Sequence, residues 1–80
     1  MISESEFVDQ ALDFLRVRLG DRADGVDGNT ELVSSGLLDS LLVLEFFLFL
    51  EDVRGSAIEP EKVSVDALST VRGAYQLMAA

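Results

Sequence analysis

The run from Leu41 to Leu50 is apolar at every position but Glu45, and no other stretch of these eighty residues is as hydrophobic. Whatever element it forms must organise the core. It is well short of the roughly 20 residues needed to span a bilayer. It is also longer than a typical strand, and no β-hairpin or βαβ pattern flanks it. The pattern therefore predicts a buried helix that begins at Asp39 or Ser40 and runs to about Arg54. Gly55 would end it, and Arg54 would sit favourably at the negative end of its dipole.

The flanking sequence supplies elements for this helix to pack against. From Ser3 to Leu19, the residues Phe7, Val8, Ala11, Leu12, Phe14, Leu15 and Leu19 fall in one arc when each position is turned by about 100°. This is an amphipathic helix. Ser3 and Glu6 have the spacing of a capping box, and Gly20 is placed to stop the helix in a left-handed conformation. Gly20 to Gly36 is rich in Gly, Asp, Asn, Thr and Ser, with Leu32 and Val33 as its apolar anchors, and reads as a long loop. Loops beyond about 12 residues are uncommon in small domains and are often functional.

After Ile58, Pro60-Glu61-Lys62-Val63 and Ser64-Val65-Asp66-Ala67-Leu68 suggest brief helical turns. Thr70 then caps a last helix in which Val71, Ala74, Tyr75, Leu77 and Met78 share a face while Arg72 and Gln76 point away. The expected fold is all-α, a single domain over residues 1–80. It is a small four-helix bundle, three helices long and one short, whose long first connection leaves room for an unusual relative direction of two helices.

Composition narrows the function. Six basic and fifteen acidic residues give a net charge of −9, which repels nucleic acid and anionic lipid and favours partners with basic surfaces. The first residues, Met1-Ile2-Ser3-Glu4-Ser5-Glu6, have neither the positive start nor the apolar run of a signal peptide, so a cytoplasmic location is expected by default, and the chain is expected to be a monomer. With no Cys and no His, the chain has no disulfide, none of the usual structural-zinc ligands and no familiar nucleophile–base pair. Intrinsic catalysis is not expected, and a Ser/Lys pair through Lys62, the single lysine, remains only a formal possibility.

Attention falls on Ser40, at the junction of the long loop and the most apolar helix. Its plainest role would be a helix cap, since Asp and Ser are both favoured there. The helical wheel adds more. With Ser40 at the origin, Leu41, Leu44, Glu45, Leu48, Glu51 and Asp52 lie within an arc of roughly 140°. The remaining arc holds Leu42, Val43, Phe46, Phe47, Phe49, Leu50 and Val53, enough to form the buried face. Three leucines are left among three carboxylates beside a serine. That is either ordinary solvated surface or a docking face, with apolar contact for affinity and charge for steering.

The run Gly36-Leu37-Leu38-Asp39-Ser40-Leu41, midway along a small acidic helical chain, resembles the signature of acyl carrier proteins and their aminoacyl-carrying relatives. The resemblance extends to Leu32, to Glu45, Glu51 and Asp52, to the Ile58-Glu59-Pro60 turn and to Thr70-Val71. It implies that a phosphopantetheinyl transferase joins the 4'-phosphopantetheine of coenzyme A to the Ser40 hydroxyl. The cofactor then brings the reactive thiol that a chain without cysteine lacks. It further implies partner recognition by Asp39, Leu41, Leu44, Glu45, Leu48, Glu51 and Asp52, with an acyltransferase or adenylating ligase loading the arm and synthases, condensing enzymes or transferases receiving the cargo.

Leu42 departs from the acidic or polar residue common at its place in fatty-acid carriers, and the Gly-Leu-Leu-Asp-Ser spacing also resembles stand-alone carriers of D-alanine, other amino acids or polyketide units. The phenylalanines at 46, 47 and 49 can fill the interior or line a cleft with Ile58, Val63 and Leu68 as neighbours. A reading of another class is a helical adaptor that uses the leucine and carboxylate face without any cofactor.

Overall fold

The computed structural model describes residues 2–79, and these are helical and irregular with no strand among them. Helix α1 spans Glu4–Leu19, α2 spans Ser40–Arg54 and α3 spans Val71–Ala79. The capping box at the start of α1 is present in both directions. The Ser3 Oγ accepts the Glu6 N–H at 3.2 Å, and the Glu6 carboxylate accepts the Ser3 N–H at 3.5 Å. At the other end Gly20 does take a positive φ of 59°, but its ψ of −131° lies outside the left-handed helical region. The chain does not turn away there. It tightens into a 3-10 turn over Gly20–Ala23, which brings Ala23 into the core.

The core is built from Phe7, Ala11, Leu15 and Leu19 of α1, Phe46 and Leu50 of α2, and Val71, Ala74, Leu77 and Met78 of α3. Leu32, Leu38, Ile58 and Leu68 from the connections close it. Aromatic contacts tie the two long helices together. Phe14 stacks on Phe49 at 4.6 Å and meets Phe46 at 5.9 Å, while Phe7 lies 6.1 Å from Phe49 and 5.5 Å from Tyr75. Arg18 pairs with Glu45. Partners thus fall in number along α2 as they rise along α1, so the two helices are antiparallel.

A short turn could also have made that pairing, so the long connection serves a different purpose from the one its length suggested. It crosses to the start of α3. The Leu32 N–H donates to the Ser69 carbonyl at 2.7 Å, and the Arg72 N–H donates to the Gly28 carbonyl at 3.1 Å. Gly28 lies directly beneath the Arg72 side chain, where an added Cβ would come within 3.1 Å of the guanidinium Nε. Of the two expected anchors only Leu32 is buried. Val33 stays half-buried outside the core, and Ala23, Leu38 and the partly covered Val26 supply the remaining apolar contacts. Arg72 faces away from the buried side of α3, as its spacing suggested, yet it is not idle, because its guanidinium pairs with Glu4 of α1.

The fourth, short helix is replaced by two 3-10 turns, Pro60–Lys62 and Asp66–Leu68. The Ser64 hydroxyl accepts the Ala67 N–H at 3.2 Å and starts the second of them. Thr70 caps α3 as its position suggested, with its Oγ1 accepting the Gly73 N–H at 3.0 Å.

Candidate functional site at the start of the second helix

Asp39 and Ser40 divide the work at the head of α2. Asp39 is the N-cap, in extended conformation, with its Oδ1 accepting the Leu42 N–H at 2.9 Å and its carbonyl accepting the Val43 N–H at 2.9 Å. Ser40 is therefore the first helical residue and not the cap. Its side chain is exposed, and among the described residues its hydroxyl has no hydrogen-bond partner. A carboxylate already satisfies the donor that a serine cap would have served, so the Ser40 oxygen is free for other chemistry.

The approach to this point is held rigidly. Leu38 is buried, and its N–H donates to the Leu32 carbonyl at 2.9 Å. Gly36 turns the chain at φ 81°, a value that a side chain would strain, and donates its N–H to Val33. Arg22 reaches across from the first 3-10 turn to donate from Nη2 to the carbonyls of Gly36 at 2.9 Å and Leu37 at 3.4 Å.

The face of α2 that carries Ser40 is open. Leu41, Leu44 and Leu48 are 65%, 53% and 52% exposed, while Phe46 and Leu50 opposite them are fully enclosed. Leu42, Val43, Phe47, Phe49 and Val53 flank the enclosed side, partly covered. The carboxylates on the open face are not equivalent. Glu45 lies 3.6 Å from the Nε of Arg18, whose guanidinium sits 3.7 Å over the Phe14 ring. Glu51 folds back to accept the Ile58 N–H at 2.8 Å, so it fastens the chain leaving α2 to the helix itself. Asp52 is exposed and has no ion pair among the described residues. Lys62 pairs loosely with Glu59 at 3.9 Å, and no hydrogen bond joins it to a serine.

An open groove of about 770 Å³ runs between α1 and α2, lined by Phe14, Arg18, Glu45, Leu48, Phe49, Glu51, Asp52 and residues 55–57. Of the three α2 phenylalanines only Phe49 lines it, because Phe46 is enclosed in the core. The expected neighbours also lie elsewhere: Ile58 and Leu68 are buried and Val63 is half-covered. Sequence reasoning did not find this groove. Its floor pairs residues on two helices, which the Phe14–Phe49 stack and the Arg18–Glu45 ion pair bring together.

In the long loop, Asp27 is held by its own neighbours. The N–H of Asn29 and then the hydroxyl of Thr30 hold its carboxylate below the ordinary value of 3.8. Asp27 organises the loop and stands apart from the serine. No group of three or more candidate metal ligands is found among the described residues, and no helix there is long and apolar enough to cross a membrane. Comparisons with protein-family models, curated proteins and solved structures give no match.

Proposed function

We propose that this chain is a carrier protein. In this reading Ser40 bears a 4'-phosphopantetheine arm whose thiol holds acyl or aminoacyl intermediates as thioesters for partner enzymes. The observation that carries the reading is the division of labour at the helix start, where Asp39 caps α2 and leaves the adjacent serine oxygen exposed and unbonded.

In the modification, the Ser40 Oγ attacks the phosphorus of coenzyme A that bears the pantetheine. An O–P bond forms, the pyrophosphate bond breaks, the adenosine bisphosphate leaves, and the serine proton passes to a base of the transferase. The first-turn N–H groups and the positive end of the α2 dipole favour the resulting phosphodiester. Asp39 opposes it electrostatically, which suits a residue committed to capping and to recognition by the transferase. The sulfur arrives with the arm, so the chain needs no nucleophile of its own.

Leu41, Leu44 and Leu48, with Glu45 and Asp52 at their margins, form the face offered to partners in a cytoplasmic pathway of fatty-acid, polyketide or specialised-metabolite synthesis. The transferase, a loading acyltransferase or adenylating ligase, and a condensing enzyme would use it in turn. Apolar contact supplies affinity, and the charge of −9 steers basic surfaces toward it. An amino acid such as D-alanine, loaded by an adenylating ligase, is the alternative cargo.

The test is intact mass after incubation with coenzyme A and a broad-specificity transferase. The chain should gain one phosphopantetheine and Ser40→Ala should gain none. An unmodified wild-type chain with several such enzymes would instead favour a cofactor-free adaptor acting through the three exposed leucines.

A further inference from the structure

Six basic residues stand against fifteen acidic ones in this chain. Arg16, Arg18, Lys62 and Arg72 each pair with a carboxylate. Arg22 does something different. Its Nη2 donates to two successive carbonyls, Gly36 at 2.9 Å and Leu37 at 3.4 Å, on the strip of chain that delivers Asp39 and Ser40 to the head of α2.

The other ties on this strip are the Leu38 N–H to Leu32 carbonyl bond, the Gly36 N–H to Val33 carbonyl bond and the contact of the Ser35 hydroxyl with the Leu37 N–H at 3.4 Å. All three are made within the loop itself. Among the described residues, Arg22 is the one side-chain partner of this strip that comes from outside the loop, from the 3-10 turn at Gly20–Ala23 that continues α1. It therefore links the orientation of the Ser40 approach to the α1 scaffold. A guanidinium suits the task, since it is planar, always charged and able to hold two acceptors with little loss of side-chain freedom per bond.

We propose that Arg22 is a positioning residue for the modification of Ser40. By fixing the Gly36 and Leu37 carbonyls it holds the serine hydroxyl in the direction from which the transferase can use it. The proposal rests on the carrier reading above. Arg22 lies off α2, so its removal leaves the leucine face through which the transferase would dock in place. Its loss should appear in the rate of the docked complex and not in docking.

The experiment is a steady-state assay of arm transfer to the full chain, with coenzyme A saturating and the carrier varied, followed by intact mass. For Arg22→Ala, kcat should fall about fivefold, the factor that about 1 kcal/mol makes, while KM stays at the wild-type value. Arg22→Lys, which keeps a charged donor but not the planar fork, should recover part of that rate. Amide exchange of residues 36–40 should quicken in Arg22→Ala and not elsewhere.

An Arg22→Ala chain modified at the wild-type kcat would overturn the proposal. So would a loss confined to KM, which would make Arg22 a direct contact of the transferase, or a lysine variant as slow as alanine. A wild-type chain that is never modified would instead remove the carrier reading and this proposal with it. Normal modification of the wild type with an indifferent Arg22→Ala removes this proposal alone.

Discussion

On α2, Phe46 and Leu50 are fully enclosed, while Leu41, Leu44 and Leu48 on the opposite side keep half or more of their surface in water. Hydrophobicity alone does not distinguish the two sets. What separates them is company. Phe14 of α1 packs against Phe46 of the first set, whereas the second set shares its arc of the helix with Glu45, Glu51 and Asp52. A helix whose apolar residues exceed what its neighbours can cover must leave some outside, and here the surplus lies beside Ser40, exposed at the start of that helix. The enclosed face holds the molecule together, and the open one is available for association.

The sharpest way to break this contrast is to truncate one residue from each face. Phe46→Ala should cost about 3–5 kcal/mol, because it empties a fully enclosed site between two helices. Leu44→Ala should stay within about 0.5 kcal/mol. Urea unfolding of both variants checks the pair, and similar midpoints would mean that the two faces are not distinct.

A smaller effect tests the division between the cap and the proposed modification site. Asp39→Ala should lower unfolding free energy by about 1 kcal/mol through loss of the bond to the Leu42 N–H, whereas Ser40→Ala should leave it nearly unchanged. Equal losses would make the serine a structural residue and close the case for its freedom.

Smaller still is the effect of charge on the open face, where the structure refines the choice of probe. Asp52→Lys should slow association with a basic partner about threefold at low salt, fade as salt is raised, and leave thermal stability alone. Glu51→Lys should lower stability as well, because the acceptor for the Ile58 N–H is lost. Glu45→Lys should do so mildly by losing Arg18. Stopped-flow kinetics beside melting curves separates these cases, and an Asp52→Lys chain with unchanged kinetics at low salt would remove charge steering from this face.

The slightest expected change lies in the loop. The Asp27 carboxylate titrates below 3.8 when folded and near it when unfolded, so the unfolded chain binds the proton more readily. The stabilisation is then fully present above the ordinary carboxylate value and is lost as pH falls through the lowered one. Asp27→Asn removes this dependence, so the gap in melting temperature between wild type and variant should be constant from neutral pH down to about pH 5 and close at lower pH. A gap that does not change with acid would show that the carboxylate charge is not what the Asn29 and Thr30 contacts hold.

Much of this architecture was legible in the residue order because it is local. The capping box of Ser3 and Glu6, the limits of α2 and the Thr70 cap depend on groups three or four positions apart, and periodicity reports such distances directly. The helical wheel also separated the two faces of α2, since burial follows wherever one arc carries all the aromatics. Gly36-Leu37-Leu38-Asp39-Ser40 marked the candidate site through its resemblance to a known signature, which is also a local pattern.

What the chain order left open is everything that joins distant segments. The loop's docking on α3 through Gly28 and Leu32, the staple from Arg22, the folding back of Glu51 and the groove between Phe14 and Phe49 exist only after the helices have packed. The arc that put Glu45, Glu51 and Asp52 together could not show that two of them already had partners. Local propensity and spacing are properties of the chain, but the partner of a charged side chain is chosen by whatever the tertiary structure brings within reach.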